Sequence, residues 1–164
     1  MKNTLKMMAV IGSVMVAQGA FAEGSTETFL KSAIEGNLAE IQMGKLAQAK
    51  GSTDVVRAYG KTLEADHMQA NVNAVKTAAA VGVEVPTRPS NEQQAEYKKM
   101  AKLSGVKFDK EFIGAMVDDH KDDVELYQKE SAKTEDGEVA SYARATLPVI
   151  QGHLNVATDL KAKM

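Results

Sequence analysis

No cysteine occurs anywhere in the 164 residues. That excludes disulfides, thiolate metal ligands and a lipid-modified N-terminal cysteine. Tryptophan is also absent, there are only 3 prolines, and aromatic residues make up 5% of the chain. Lysine and arginine number 20 against 22 acidic residues, so no excess of positive charge marks a nucleic-acid binder. No glycine-rich phosphate loop is present. The serines sit mainly at expected caps and turns, with no base beside them, so hydrolytic chemistry has no anchor.

One apolar run stands out, and it is short. Lys2 and Lys6 precede the stretch Met7 to Ala17, and Ala20-Phe21-Ala22 follows as an A-x-A cleavage signal. An apolar stretch of 11 residues is too short to span a bilayer. Residues 1–22 are therefore expected to be a cleavable signal peptide, with Glu23 starting the mature chain. Residues 23–164 form a single domain, mildly acidic, without a membrane span and destined for the periplasm. Of the nine methionines, Met1, Met7, Met8 and Met15 belong to the leader, and the others are scattered as core filler rather than a copper-binding run.

Beyond the leader the chain is rich in Ala, Lys, Glu, Gln and Leu and almost devoid of strand signal. Helix one is expected from about Thr26 to Ala49, capped by Ser25 or Thr26 and closed by Gly51. Helix two runs from about Thr53 to Val81 and stops at Gly82. The segment Val85-Pro86-Thr87-Arg88-Pro89 cannot continue a helix. Ser90 and Gln93 then form a capping box for a short helix at 91–103. Helix three runs from near Asp109 to about Lys133, Glu135-Asp136-Gly137 is a turn, and helix four runs from Glu138 almost to the end. Pro148 lies inside helix four and is expected to bend it.

Apolar residues recur at helical spacing: Val56, Tyr59, Leu63, Ala70 and Ala74 on helix two, and Phe112, Met116, Val124 and Tyr127 on helix three. Helix four contributes Val139, Tyr142, Leu147, Ile150, Leu154 and Ala157. This predicts an all-α four-helix bundle, with the short helix in the crossover between helices two and three.

The chain has three histidines, and each lies on or beside a different apolar stripe. His67 follows Leu63 by four, His120 follows Met116 by four, and His153 follows Ile150 by three. They lie about 14, 11 and 15 residues into their helices, so at about 1.5 Å per residue all reach mid-height. Glu40, about 14 residues into helix one, reaches the same level. Glu40, His67, His120 and His153 together are a candidate shell for a divalent transition metal: zinc, iron, manganese or copper. The bland alternative is three separate core histidines and a surface carboxylate.

Glu64 with His67 has the Glu-x-x-His spacing of di-metal carboxylate bundles, but Ile150 stands where a second such glutamate is needed. Asp66 and Asp119 each directly precede a histidine and point about 100° away from it. They read as solvated acids, the alternative being acceptors for the N–H of a histidine on another helix.

Several stretches together resemble the exported domain of unknown function 4142 family, a ferritin-like helical family often described as predicted outer-membrane protein. They are Ala39-Glu40-Ile41 with Met43-Gly44-Lys45-Leu46-Ala47, Leu63 with Asp66-His67, Phe108-Asp109, Met116-Val117-Asp118-Asp119-His120, and Thr146-Leu147-Pro148 with His153-Leu154. The resemblance implies a ferritin-like four-helix fold and no assigned activity. Glu64 departs from it, standing where an apolar residue is usual, so its Glu-x-x-His spacing reads as accidental. Outer-membrane association finds no support in the residues, which offer neither barrel strands nor a lipid anchor. Two functional classes follow. One is a metal-binding or redox-protective bundle in the periplasm. The other is a non-catalytic envelope protein acting through a partner or in stress tolerance, without metal.

Overall fold

The computed structural model describes residues 19–133 and 137–164, with side chains from residue 26 onward. Residues 1–18 of the expected signal peptide and the expected turn residues Glu135 and Asp136 lie outside the described residues. Among the described residues every regular element is a helix: α1 Gly19–Lys50, α2 Asp54–Ala80, α3 Asn91–Met100, α4 Gly105–Ser131 and α5 Glu138–Lys161. Together they form an all-helical bundle. None of these helices is long and apolar enough to cross a membrane.

Contacts between residues of different helices fix the directions. Gly44 meets Gly60 and Asn37 meets His67, so α1 and α2 run antiparallel. Tyr127 meets Tyr142 and His120 meets His153, so α4 and α5 do the same. Phe29 meets Tyr127 and Glu40 meets His120, which sets α4 antiparallel to α1. Helices α2 and α4 therefore run in the same direction, and the chain between them must return along the bundle. The Pro86–Pro89 segment and α3 make that return, with α3 lying against α1 and α4.

Local chemistry sets the ends. Thr53 caps α2 by accepting from the Val56 N–H, and Ser90 with Gln93 forms the expected capping box on α3. Two expected starts are corrected. Helix α1 is already helical from Gly19, so Ser25 and Thr26 lie within it and cannot cap it. The residues before them, Ala20 to Glu23, favour helix and give no reason to stop. Helix α4 starts at Gly105 rather than near Asp109. The extra turn buries Phe108, which stacks on Phe112 one turn later at 5.6 Å between ring centroids. Gly105 takes φ +61°, a conformation glycine adopts without strain.

Asp109 is buried and serves the neighbouring turn. Its carboxylate accepts from the Ser52 N–H at 2.8 Å, the Ser52 hydroxyl at 2.6 Å and the Thr53 hydroxyl at 3.2 Å. One side chain of α4 thus holds the α1–α2 connection. Helix α5 continues through Pro148, which is exposed, as is Arg144, whose carbonyl loses its intrahelical donor. At the surface that loss costs little. Leu147 and Leu154, expected in the core, are only partly buried.

The core divides into two apolar halves. One contains Met43, Leu63, Phe112, Met116 and Ala157, and the other Ile34, Ala74, Val124, Tyr142 and Ile150. On each long helix the residues between the halves are polar: Asn37 and Glu40 on α1, His67 on α2, His120 on α4, His153 on α5. Each fully buried large apolar side chain contributes about 1.5–3 kcal/mol. The polar layer contributes no such term and needs another reason to be there.

A close backbone approach of α1 and α2 supports this layer from one side. A Cβ on Gly60 would stand 2.6 Å from the Ala47 Cβ and 2.7 Å from the Gly44 carbonyl oxygen. Gly60→Ala is therefore expected to push α1 and α2 apart and destabilise the fold by about 1–3 kcal/mol. Urea denaturation checks this, and an unchanged midpoint would contradict the close approach.

Candidate metal centre

The three histidines arrive from three helices and meet. Their ring centroids are 5.7 Å apart for His67–His120, 5.2 Å for His67–His153 and 5.3 Å for His120–His153. One ring nitrogen from each lies within 4.8 Å of one from each of the others. All three are buried, His120 at 0% exposure.

Hydrogen bonds assign the protons. His120 Nδ1 lies 2.9 Å from the Met116 carbonyl oxygen, an acceptor only, so Nδ1 donates. His153 Nε2 lies 2.9 Å from an Asp66 carboxylate oxygen and donates likewise. His67 Nδ1 lies 2.9 Å from Asn37 Oδ1. The Asn37 amide donates through Nδ2 to the Tyr142 hydroxyl at 3.4 Å, which turns its oxygen toward His67 and makes that ring a donor too. Tyr142 is held in turn by Tyr127, with 2.9 Å between hydroxyl oxygens.

Each ring thus uses one nitrogen on the wall of the bundle. The other nitrogen of each, His67 Nε2, His120 Nε2 and His153 Nδ1, is buried without a hydrogen-bond partner. In a neutral ring that second nitrogen carries a bare lone pair. Burial, then the neighbouring imidazoles His120 and His153, hold His67 well below the usual histidine value. Burial, then His153, lowers His120 to about 4. These two rings stay neutral through the range in which exposed histidines take up protons. The site is a set of electron-pair donors, each oriented from behind by an amide oxygen, a carbonyl or a carboxylate.

Of the expected shell, the structure brings His67, His120 and His153 together and places Glu40 beside them. Glu40 Oε1 is 3.9 Å from His120 Nδ1, the nitrogen that faces Met116, and Glu40 is not among the residues whose ligand atoms cluster. Its Oε2 is buried and unpartnered. Burial, with the charges of Asp119, Asp123 and Glu96, pushes Glu40 well above the usual carboxylate range. Glu64 is elsewhere, accepting from Gln48 at 2.6 Å and facing Lys45 at 3.7 Å, so its spacing from His67 carries no metal role.

Asp66 corrects its reading as a merely solvated acid, because it accepts from His153 on another helix. Asp119 contacts no histidine ring nitrogen; it lines a carboxylate-rich cavity. The one sequence signal for Asn37 is its place three residues after Ile34 and three before Glu40, which puts a polar side chain on the apolar stripe of α1. Tyr142, expected in the core, is buried there and also carries a hydroxyl in the polar network.

A family model described as Domain of unknown function (DUF4142) matches residues 13–160. No curated protein matches the chain. Among solved structures, a crystal structure of a DUF305 fragment from Deinococcus radiodurans is similar, with a TM-score of 0.71 and 13% identity. The match covers 85% of this chain and 97% of that one, a likeness of fold alone.

The site leaves a signature in stability against pH. His67 and His120 have lowered values in the fold, so the unfolded chain binds more protons at these two groups, and their contribution to stability falls as pH drops from about 6.5 toward 4. Glu40 is raised, and Asp119 and Asp123 are raised to about 7, mainly by burial, so they act in the opposite sense over the same range. Replacing Asp119 and Asp123 with Asn removes part of the opposing contribution. In metal-free protein, denaturant titrations from pH 7 to 4 are expected to show a steeper acid loss in this variant than in the wild type. A shallower loss would contradict the assignment.

Proposed function

The chain belongs to the DUF4142 family, and we propose that it is a transition-metal-binding protein that holds one divalent ion between His67, His120 and His153. The carrying observation is the set of three bare, buried ring nitrogens. An unsatisfied buried acceptor costs about 1–3 kcal/mol, so three at one level are expensive unless something takes their lone pairs. One ring nitrogen from each histidine lies within 4.8 Å of one from each of the others, and three atoms so spaced can be bridged by one ion if each moves in by less than about 1 Å, reaching bonds near 2.0–2.1 Å. Three imidazoles and no thiolate suit zinc, copper or iron, with manganese a weaker fit. Three protein ligands leave a further coordination position, which a water or small ligand would fill.

The bundle is, on this reading, ferritin-like: two antiparallel helix pairs joined by a long crossover, with the ion in the polar layer at mid-height. The leader-like segment at residues 1–22 supports a periplasmic setting. A role in sequestering a metal, or in protecting the envelope from redox damage by it, fits a site built from three buried histidines. The competing reading, an envelope protein working through a partner without metal, leaves the three bare nitrogens unexplained.

Titrating the metal-free protein with Co²⁺ or Zn²⁺ is expected to give one ion per chain. Proton competition at His67 and His120 sets in only below the ordinary histidine value. His120→Ala is expected to abolish binding while far-ultraviolet circular dichroism stays helical. Asp66→Asn, which exchanges the anionic partner of His153 for a neutral one, is expected to weaken binding by about 10–100-fold. Unchanged affinity in the His120 variant would remove the site from consideration.

A further inference from the structure

A second polar feature lies between α1, α3 and α4. It is a cavity of about 200 Å³ lined by Glu40, Glu96, Asp119, Asp122 and Asp123, with Gln93 at its edge. No lysine, arginine or histidine lines it. Five carboxylates without a cation among them are an unusual lining, because like charges in one concavity repel. Acidic residues at a surface need no ion. Glu40 is different: it is 5% exposed, it lines the cavity from its inner side, and its Oε2 has no hydrogen-bond partner. A buried carboxylate oxygen without a donor needs a positive charge or a proton.

From these positions we infer that the cavity is a second cation site, taking a hard divalent ion of the calcium or magnesium class, with Glu40 as its innermost donor. Every available donor is oxygen, which is what such ions take. Among the described residues only the three histidines gather ligand atoms within 4.8 Å of one another. The ion between the carboxylates therefore keeps part of its water shell, and the waters bridge to Asp119, Asp122, Asp123 and Glu96. Helix α3 gains a reason for its place, since Glu96 and Gln93 close the cavity from the crossover side. The inference does not rest on the histidine reading, because calcium prefers oxygen to imidazole donors.

Calorimetric titration of calcium into the full, metal-free chain tests it, above neutral pH and in a fixed excess of KCl. The expected result is saturable binding of one Ca²⁺ per chain. Glu96→Gln combined with Asp122→Asn and Asp123→Asn is expected to weaken it by about tenfold or more. These side chains are half-buried or exposed, and neutralising them relieves repulsion. The variant should melt no lower than the wild type, and its Co²⁺ titration at the histidines should be unchanged. Absence of saturable calcium binding to the wild type would overturn the inference. So would a variant that binds calcium as tightly as the wild type, or an effect that KCl of equal ionic strength reproduces.

Discussion

A neutral imidazole has one nitrogen that donates and one that accepts, and in this bundle every donor faces outward from the centre. The Met116 carbonyl, the Asp66 carboxylate and the Asn37 amide each take one N–H. This leaves three buried lone pairs without a hydrogen-bond partner. The rest of the structure can be understood from that arrangement. The two apolar halves of the core hold the layer at one level. The antiparallel pairing of α1 with α2 and of α4 with α5 brings the three rings to that level from different sides.

The supporting contacts are as specific as the three rings themselves. Tyr127 positions Tyr142, Tyr142 orients Asn37, and Asn37 selects which nitrogen of His67 is free. The choice is relayed through three buried polar groups before it reaches the ring. On the other side Tyr59 donates its hydroxyl to the His153 carbonyl at 3.1 Å, tying α2 to α5 at the level of the site. The contact of Gly44 with Gly60 lets α1 come close enough for Asn37 to reach His67. Asp109 secures the turn that joins the two helices.

Much of this was legible in the sequence, for a physical reason. Helical spacing places His67 with Leu63 and His120 with Met116, and counting residues from each cap gives their heights. Convergence of the three rings requires those two regularities, and both are met. What periodicity does not encode is direction around a neighbour. Glu40 has the right height, yet its carboxylate meets the Nδ1 side of His120 and the acidic cavity, because α1 packs beside α4 at that angle. Asp66 points away from its own helix's histidine and so becomes available to His153 across the bundle. The early start of α4 was hidden because Asp109 resembles a cap, while its carboxylate is committed to a turn 57 residues earlier in the chain.

One ion held by the three bare nitrogens has a distinctive coordination shell, which X-ray absorption at the metal edge of zinc- or copper-loaded protein reads out. The expected spectrum shows three imidazole nitrogens near 2.0–2.1 Å, with the multiple-scattering pattern of histidine, and any remaining ligand a light atom. A shell made of oxygen alone, or one with fewer than two imidazoles, would contradict it.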